Sequence, residues 1–356
     1  GMSAGLRRTV LLFAGLAALV AVAAFAKRSE VYLLTLTMVY LMATFGLNLT
    51  VGYAGQMSLG QAAFFGIGAY VAAIALKAGI PFLAVLPIAG VACFVVGLAL
   101  GFPALRVQHH YLAFATLGFN VLVFLVMRNE EKLTGGTFGI SSIPRPTILG
   151  VSFEGHLAYF YFTLAGLVAL AAALWWLLRS PWGRAFAALR DNPIRAESLG
   201  VNITAYTLLA FAIGAACAGV GGVYYASLVE FIEPGPFHFS TSLMMLLAVI
   251  VGGSGRFFGP VVGTIVIILL PEVLRSSSIE SLKFMQKWYL VFFGLAVVAL
   301  MIWLPGGILS IADRFRKREA PRGPRRRDSS TSATCARRTA RSRPSTASAS
   351  KSCPAR

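Results

Sequence analysis

Ten long apolar runs divide the chain, and they constrain its fold more than any other feature. A helix that crosses the hydrocarbon core of a bilayer needs about 20 mostly apolar residues, and most of these runs approach that length. Hydrophobic residues make up 57% of the chain and charged residues only 12%, so a soluble domain could not bury its apolar surface. Because the runs are too uniformly apolar for barrel strands, the sequence predicts an all-α integral membrane protein with about ten transmembrane helices.

Two of the ten runs are short or interrupted by glycine, and these are compatible with re-entrant segments. The first run has a second interpretation, because Arg7, Arg8, the apolar stretch and residues 24–26 together resemble a cleaved secretory signal. Its length favours an uncleaved helix, which also gives an even number of spans. The runs are 9–26, 31–50, 58–76, 82–101, 110–127, 156–178, 203–227, 240–253, 257–274 and 287–304.

The basic residues predict that both termini lie in the cytoplasm. With this orientation the internal segments hold 22 of the 31 Lys and Arg residues, but 14 of those lie in the C-terminal tail. The prediction therefore depends on the tail and on the basic loop 179–202, under the rule that positive loops stay inside. The remaining internal segments are 1–8, 51–57, 102–109 and 254–256.

The chain divides by composition into a transmembrane domain, residues 1–312, and a tail, residues 313–356. The tail is rich in Arg, Ser, Thr, Ala and Pro, so it cannot bury a core and is predicted to be disordered. It also carries much of the net charge of +18. The basic excess is therefore not a nucleic-acid-binding face, and the predicted surroundings of the chain are a lipid bilayer.

No catalytic, cofactor or metal-binding pattern stands out in the sequence. The chain has no Gly-Lys dipeptide and therefore no Walker A loop, so it cannot hydrolyse ATP by that route. Its four Cys and four His residues have no metal-site spacing. The predicted spans are almost free of ionisable groups, which disfavours proton coupling but leaves sodium coupling open. We therefore predict a protein that is not an enzyme.

A dense patch of glycine and neutral polar residues follows the second apolar run. Five glycines fall within residues 52–68, which predicts either a broken helix or tight helix packing. A broken helix would expose amide groups to a passing carboxylate, whereas packing of small residues would leave them buried. The candidate translocation path comprises Asn48, Gly52, Gly55, Gln56, Ser58, Gly60 and Gln61.

The charged stretch 179–200 lies between two apolar runs. Spacings of three or four place on one helical face Phe186, Leu189, Pro193, Ala196 and either Leu199 or Gly200. Asn192 and Pro193 suit an N-cap and a first helical position. The stretch therefore predicts two short helices that meet at Asn-Pro and end at a glycine cap. This amphipathic pair suits insertion into a groove of a partner, or alternatively the bilayer surface. The candidate residues are Gly183, Arg184, Phe186, Leu189, Arg190, Asn192, Pro193, Glu197 and Gly200.

Several segments together resemble the LivM-type permeases of ABC importers for branched-chain amino acids. Residues 183–202 (GRAFAALRDNPIRAESLGVN) are similar to the loop through which these permeases couple to ATPases. The resemblance covers roughly residues 30–310 and stops at the tail. Its further motifs are LNLTVGYAGQMSLG at 47–60, PALRV at 103–107, YLAFATLG at 111–118, LTGGTFGI at 133–140 and VGGSGRFFGP at 251–260.

The resemblance implies a membrane-embedded subunit that imports branched-chain amino acids and uses no cofactor of its own. Its expected partners are a second, LivH-like permease, two cytoplasmic ABC ATPase subunits and a periplasmic amino-acid-binding protein. It also implies residence in a bacterial inner membrane. The alternatives are a permease for urea or short-chain amides and, in a different class, an ion-coupled carrier or passive channel.

Overall fold

The computed structural model describes residues 27–104, 109–148, 151–153, 155–269, 271, 294, 295 and 307. The first apolar run with its signal-like alternative lies outside these residues, as does almost all of the last run, 287–304. The tail, residues 313–356, also lies outside them, so its predicted disorder and the domain boundary stay predictions. The predicted runs from 31–50 to 240–253 fall within the described part, and so does the run 257–274 up to residue 269 and at 271.

Each of those eight runs corresponds to an apolar helix, and five of the helices are long and apolar enough to cross a membrane. The predicted all-α membrane architecture is therefore confirmed. The longer helices are α1 (Arg28–Leu47), α2 (Gln61–Lys77), α3 (Phe82–Ala104), α4 (His109–Asn129), α6 (His156–Arg179), α9 (Ile203–Val229) and α10 (Phe239–Gly252). The shorter ones are α5 (Glu131–Thr134), α7 (Pro181–Asp191), α8 (Pro193–Ser198) and α11 (Gly259–Thr264).

The described chain departs from α-helix in a few short elements. Two π-helical turns, Asn48–Tyr53 and Ile265–Leu269, continue α1 and α11, and two 3₁₀ turns lie at Gly136–Phe138 and Gly235–Phe237. Strands β1 (Thr147–Ile148) and β2 (Val151–Ser152) form a two-residue antiparallel pair. These elements lie in loops or at helix ends, where backbone groups need partners from outside the helical ladder.

Helix α9 is the centre of the bundle, since it packs against α1, α2 and α3. Small residues allow these close approaches. A Cβ at Gly222 would overlap the carbonyl oxygen of Phe65 in α2, and one at Gly214 would overlap the hydroxyl of Thr50 after α1. In lipid, helix association depends on van der Waals packing and interhelical hydrogen bonds, both of which close contact strengthens.

Gln61 of α2 connects this helix to α1 and α9 through hydrogen bonds. Its side-chain Nε2 donates to the carbonyl oxygen of Ala43 in α1 at 2.9 Å and to that of Gly214 in α9 at 3.2 Å. At the same end of α2, the backbone amide of Ala62 donates to Ser242 Oγ of α10 at 2.9 Å. The start of α2 is therefore fixed by buried polar contacts as well as by packing.

The glycine-rich segment 133–140 forms the tight turns that its sequence suggests. Gly135, Gly136 and Gly139 all have positive φ, and a Cβ at Gly139 would overlap the carbonyl oxygen of Ile232. Ile140 and Ile232 exchange two backbone hydrogen bonds of 2.9 and 3.0 Å. This loop is therefore bound to the segment after α9.

The loops sort onto two opposite sides, as the predicted spans require. On one side, the 128–155 loop contacts the ends of α2 and α9, through the Lys77–Ser141 hydrogen bond of 3.1 Å and the Arg145–Glu230 ion pair. On the other side, segments 51–57, 179–202 and 254–256 lie together, as the contacts described below establish. The three are among the segments that the sequence assigns to the cytoplasm.

We expect Gly222→Ala to destabilise the protein, because the nearest atoms that its Cβ would meet are backbone atoms of α2. Overpacking of this kind typically costs about 1–3 kcal/mol. The matched control is Gly118→Ala in α4, where a Cβ would meet nothing within 4 Å. Thermal denaturation of the detergent-purified protein measures both variants, and equal midpoints for the two would contradict the close α2–α9 packing.

Candidate functional site

A break between α1 and α2 forms the first part of the candidate site. The α1 helix widens into the π-helical turn Asn48–Tyr53, and the chain then runs without helix until Gln61. Gly55 turns within this gap with a φ of +71°, a conformation that favours glycine. The predicted helix start near residue 58 was therefore wrong by three residues, because residues 58–60 belong to the break. The gap joins two of the predicted spans, and Gly68 of the same patch packs closely on Gly219 of α9, so the structure does not decide between the broken-helix and helix-packing interpretations.

Asn48 ties the break to the second glycine cluster, residues 252–255. Its buried side chain accepts a hydrogen bond from the backbone amide of Gly255 at 3.0 Å and donates one to the carbonyl oxygen of Arg256 at 3.0 Å. Both ends of the amide are thus used. Asn48 therefore fixes the 252–256 turn to the end of α1.

Glycine permits the same two segments to touch along their backbones. A Cβ at Gly52 would overlap the backbone nitrogen of Gly255, and Gly255 has a φ of +74°. The sequence marks both segments as unusual, but it does not predict that they meet. Their separation of about 200 residues leaves no periodic signal, so this contact was missed.

Two short helices, α7 and α8, form the other part of the site and are joined as predicted. Ser180 caps α7 by accepting from the amide of Trp182 at 3.2 Å, and Pro181 takes the first helical position. Asn192 is extended and caps α8 by accepting from the amide of Arg195 at 3.1 Å. The predicted Asn-Pro joint is therefore confirmed.

The predicted glycine cap at the end of α8 is also confirmed. Gly200 has a φ of +82°. Its amide donates to the carbonyl oxygen of Glu197 at 2.9 Å, and the amide of Val201 donates to that of Ala196 at 3.1 Å. This pair of bonds is a Schellman motif, which satisfies the last carbonyls of the helix.

The inner face of the helical pair corrects one expectation. Phe186, Leu189 and Ala196 are buried within the protein itself, and the Phe186 ring packs edge-on against Tyr206 of α9. They are therefore not free to enter a partner's groove, as the amphipathic pattern had suggested. The pattern identifies which face is covered, but a single sequence does not say whether the cover comes from the same chain.

Gly183 also makes its close contact inside the chain. A Cβ there would overlap the carbonyl oxygen of Leu178 at the end of α6. This glycine allows α7 to fold back tightly against α6. The absence of a side chain at residue 183 is therefore explained by this turn within the chain.

The outer face presents both charged and apolar side chains. Arg184 and Glu197 are exposed, as a role in polar contacts at the rim requires. Ile194 and Leu199 are 77% and 84% exposed, which sequence reasoning did not predict. It did not single out Ile194 and placed Leu199 on the covered face. The sequence did offer a sign of this exposed apolar surface, because both are large apolar residues close to charged neighbours.

Arg190 joins the helical pair to the break. Its guanidinium lies against Gly255, and its Cα is in contact range of the position that a Cβ would take at Gly55. Arg190 therefore lies where the two glycine segments and α7 meet. We call this set the junction: Asn48, Gly52, Gly55, Arg190, Gly255 and Arg256.

The other candidate path residues are enclosed. Gln56, Ser58, Gly60 and Gln61 are buried, and the amide of the intervening Leu59 donates to Thr116 Oγ1 of α4 at 2.9 Å. The two Gln61 bonds described above favour helix packing for this residue. A path along 52–61 remains a prediction.

The contacts at the junction are suited to linking the helical pair α7–α8 mechanically to the break. Within the described residues, no group of three or more His, Cys, Asp or Glu side chains could hold a metal ion. What the junction does contain is a set of close backbone contacts and hydrogen bonds that connect the helical pair to the segment between α1 and α2. These features define the class of protein as a polytopic membrane protein with a pair of short, partly exposed helices on one side.

Comparison with known proteins identifies the family. The family profile described as "Branched-chain amino acid transport system / permease component" matches residues 29–301. The chain therefore belongs to this permease family. It is 35% identical over 306 residues to the high-affinity branched-chain amino acid transport system permease protein LivM of Salmonella typhimurium, covering 79% of this chain and 70% of the relative. The LivM protein of Escherichia coli K12 has the same identity and coverage.

The family also includes permeases named for another cargo. The autoinducer 2 import system permease protein LsrC of Escherichia coli is 26% identical over 298 residues, covering 78% of this chain and 81% of the relative. No solved structure matches the chain. Membership therefore establishes a transport permease, and the cargo needs a separate argument.

We expect Asn48→Ala to loosen the 252–256 turn, because it leaves the Gly255 amide and the Arg256 carbonyl without this partner. An unsatisfied buried group costs about 1–3 kcal/mol, so amide hydrogen exchange at residues 253–257 should accelerate. Asn202→Ala is the control, since Asn202 caps α9 by accepting from the Ala205 amide at an exposed position. Unchanged exchange at 253–257 in Asn48→Ala would show that the junction does not hold the turn.

Proposed function

We propose that the protein is the permease subunit of an ATP-driven ABC importer that moves branched-chain and other hydrophobic amino acids into the cytoplasm. The observation that carries the proposal is the junction, which links an exposed helical pair to the break between the apolar helices α1 and α2. A transporter powered from outside the membrane needs such a link. The LivM relatives, which are named for branched-chain amino acid transport, support the choice of cargo.

In this proposal the energy comes from separate subunits. The chain lacks a Walker A loop, so two cytoplasmic ABC ATPase subunits bind and hydrolyse the nucleotide. A LivH-like second permease completes the membrane part, and a periplasmic amino-acid-binding protein delivers the substrate. The complex resides in the bacterial inner membrane, with both termini of this chain in the cytoplasm.

Coupling follows from the geometry of the helical pair. Its inner face is fixed to α9 through Phe186, so the outer face is the one that the ATPase contacts. When the ATPase moves, α7 and α8 move with it. Arg190 carries this displacement to Gly255 and the break, and Asn48 carries it to the end of α1. The break then opens or closes the route.

Reconstitution tests the proposed function directly. The permease is incorporated into liposomes with the second permease and the ATPases encoded beside it, and the binding protein is supplied outside. We expect uptake of radiolabelled leucine that requires ATP inside. Uptake without ATP would indicate a carrier or channel, and uptake of urea in place of leucine would indicate the amide alternative.

We expect Ile194→Glu to weaken association with the ATPase subunits. Exposed apolar groups mark contact sites, and removing an interface anchor typically costs about 1–2 kcal/mol or more. Co-purification of the ATPases with the tagged permease measures the effect. It should fall by about tenfold while the isolated permease keeps its thermal stability.

The matched control for this variant is Phe138→Glu. Phe138 is equally apolar and 86% exposed, but it lies in the 128–155 loop on the opposite side of the bundle. Its replacement should leave ATPase co-purification intact. If both variants lose the ATPases, or neither does, the outer face of α8 is not the docking surface.

A further inference from the structure

A cavity lies beside the bundle between α1, α10 and the α11 segment. Its volume is about 170 Å³. For comparison, an apolar cavity of about 150 Å³ is large enough to admit a benzene molecule. The space is therefore of the size needed for a small organic molecule rather than for a large substrate.

The lining is apolar with a few neutral hydroxyl groups. Met245, Ala248 and Ile267 form apolar walls, and Tyr40, Thr44 and Thr264 bring hydroxyls. None of the described lining residues is Lys, Arg, Asp or Glu. The cavity can thus solvate an aliphatic group and a small polar group without fixing a permanent charge.

The two threonines form a polar floor. Thr44 and Thr264 are both buried, and their Oγ1 atoms are 2.9 Å apart. Thr44 Oγ1 also donates to the carbonyl oxygen of Leu41 at 3.0 Å. Since a hydroxyl has one proton and two lone pairs, Thr264 must donate to Thr44. Both protons are then used, and the free capacity of the pair is to accept hydrogen bonds.

The cavity reaches from this buried floor toward the surface of the protein. Met244, at its rim, is 44% exposed. Thr264 is also the last residue of α11 before the π-helical turn Ile265–Leu269. Such turns are frequent at functional sites, because they disturb the helical ladder.

We propose that this cavity is a transit site for an amino acid with an aliphatic side chain. The Thr44–Thr264 pair accepts hydrogen bonds from the ammonium group, and Met245, Ala248 and Ile267 contact the side chain. Neutral acceptors hold the ammonium less tightly than a carboxylate would, so the amino acid is released after each cycle. This inference rests on the proposed function.

Filling the cavity tests its size selectivity. Ala248→Leu adds three carbon atoms to the wall, so leucine uptake by the complete importer should fall about tenfold relative to alanine uptake, as expected for a pocket that discriminates by methylene groups. Ala169→Leu is the control, because Ala169 is exposed on α6 and should leave the ratio unchanged. Basal ATP hydrolysis and co-purification of the subunits show that each variant assembles.

Thr264→Val tests the polar floor, since it keeps the shape and removes the hydroxyl. We expect uptake of leucine and alanine to fall by the same factor, and Thr264→Ser to restore most of it. Because the same hydroxyl also bonds Thr44 between α1 and α11, the thermal midpoint of each variant is measured too, and a role as a ligand requires that uptake falls in Thr264→Val while the midpoint does not. Equal loss in both variants would argue against the hydroxyl as a ligand.

Labelling gives a readout that does not depend on transport. In the complete importer with Cys335 and Cys353 replaced by Ser, Met244→Cys is treated with a small polar thiol reagent. The remaining Cys93 and Cys217 are buried. Leucine should slow the labelling.

If the wild-type importer takes up leucine but Ala248→Leu keeps the leucine-to-alanine uptake ratio and leucine gives no protection from labelling, this inference is overturned while the proposed function stands. Wild-type uptake of no aliphatic amino acid would overturn both.

Discussion

Backbone polar groups that are buried away from water need hydrogen-bond partners, and the break between α1 and α2 obtains several of its partners from the protein itself. The amides of Ala54 and Gln56 bond back to the carbonyl oxygens of Leu49 and Thr50, both at 3.0 Å. The amide of Leu59 bonds to the Thr116 hydroxyl of α4. These hydrogen bonds give the break a fixed conformation. The positions of the junction and of the start of α2 both depend on that conformation.

The same requirement explains why the break lies at the helical pair α7–α8. A stretch without helix is tolerated where other protein segments cover it, and Arg190 and the Gly255 turn provide that cover. Because the backbones of Gly52 and Gly255 are in direct contact, the two segments have little room to move relative to each other. In the proposed function, these short contacts are the route by which a displacement of α7 reaches the end of α1.

Local signals predicted much of this structure. Apolar run lengths located eight helices, and the Asn192–Pro193 pair and Gly200 located the joint and the cap of the loop. The contact of Asn48 with Gly255 was not predictable, because it joins residues far apart in the sequence and depends on how the helices assemble. The inward position of Phe186 was missed for a related reason, since amphipathicity shows that a face is covered but not what covers it.

The central claim is that the helical pair and the break move as one unit, and spin-label distances test it most directly. One label pair at residues 57 and 187 spans the break and α7, both at exposed positions. A second pair at 138 and 187 spans the two sides of the bundle. In the complete importer, we expect ATP binding to change the 138–187 distance and to leave the 57–187 distance unchanged. A 57–187 distance that changes as much as the 138–187 distance would contradict the claim.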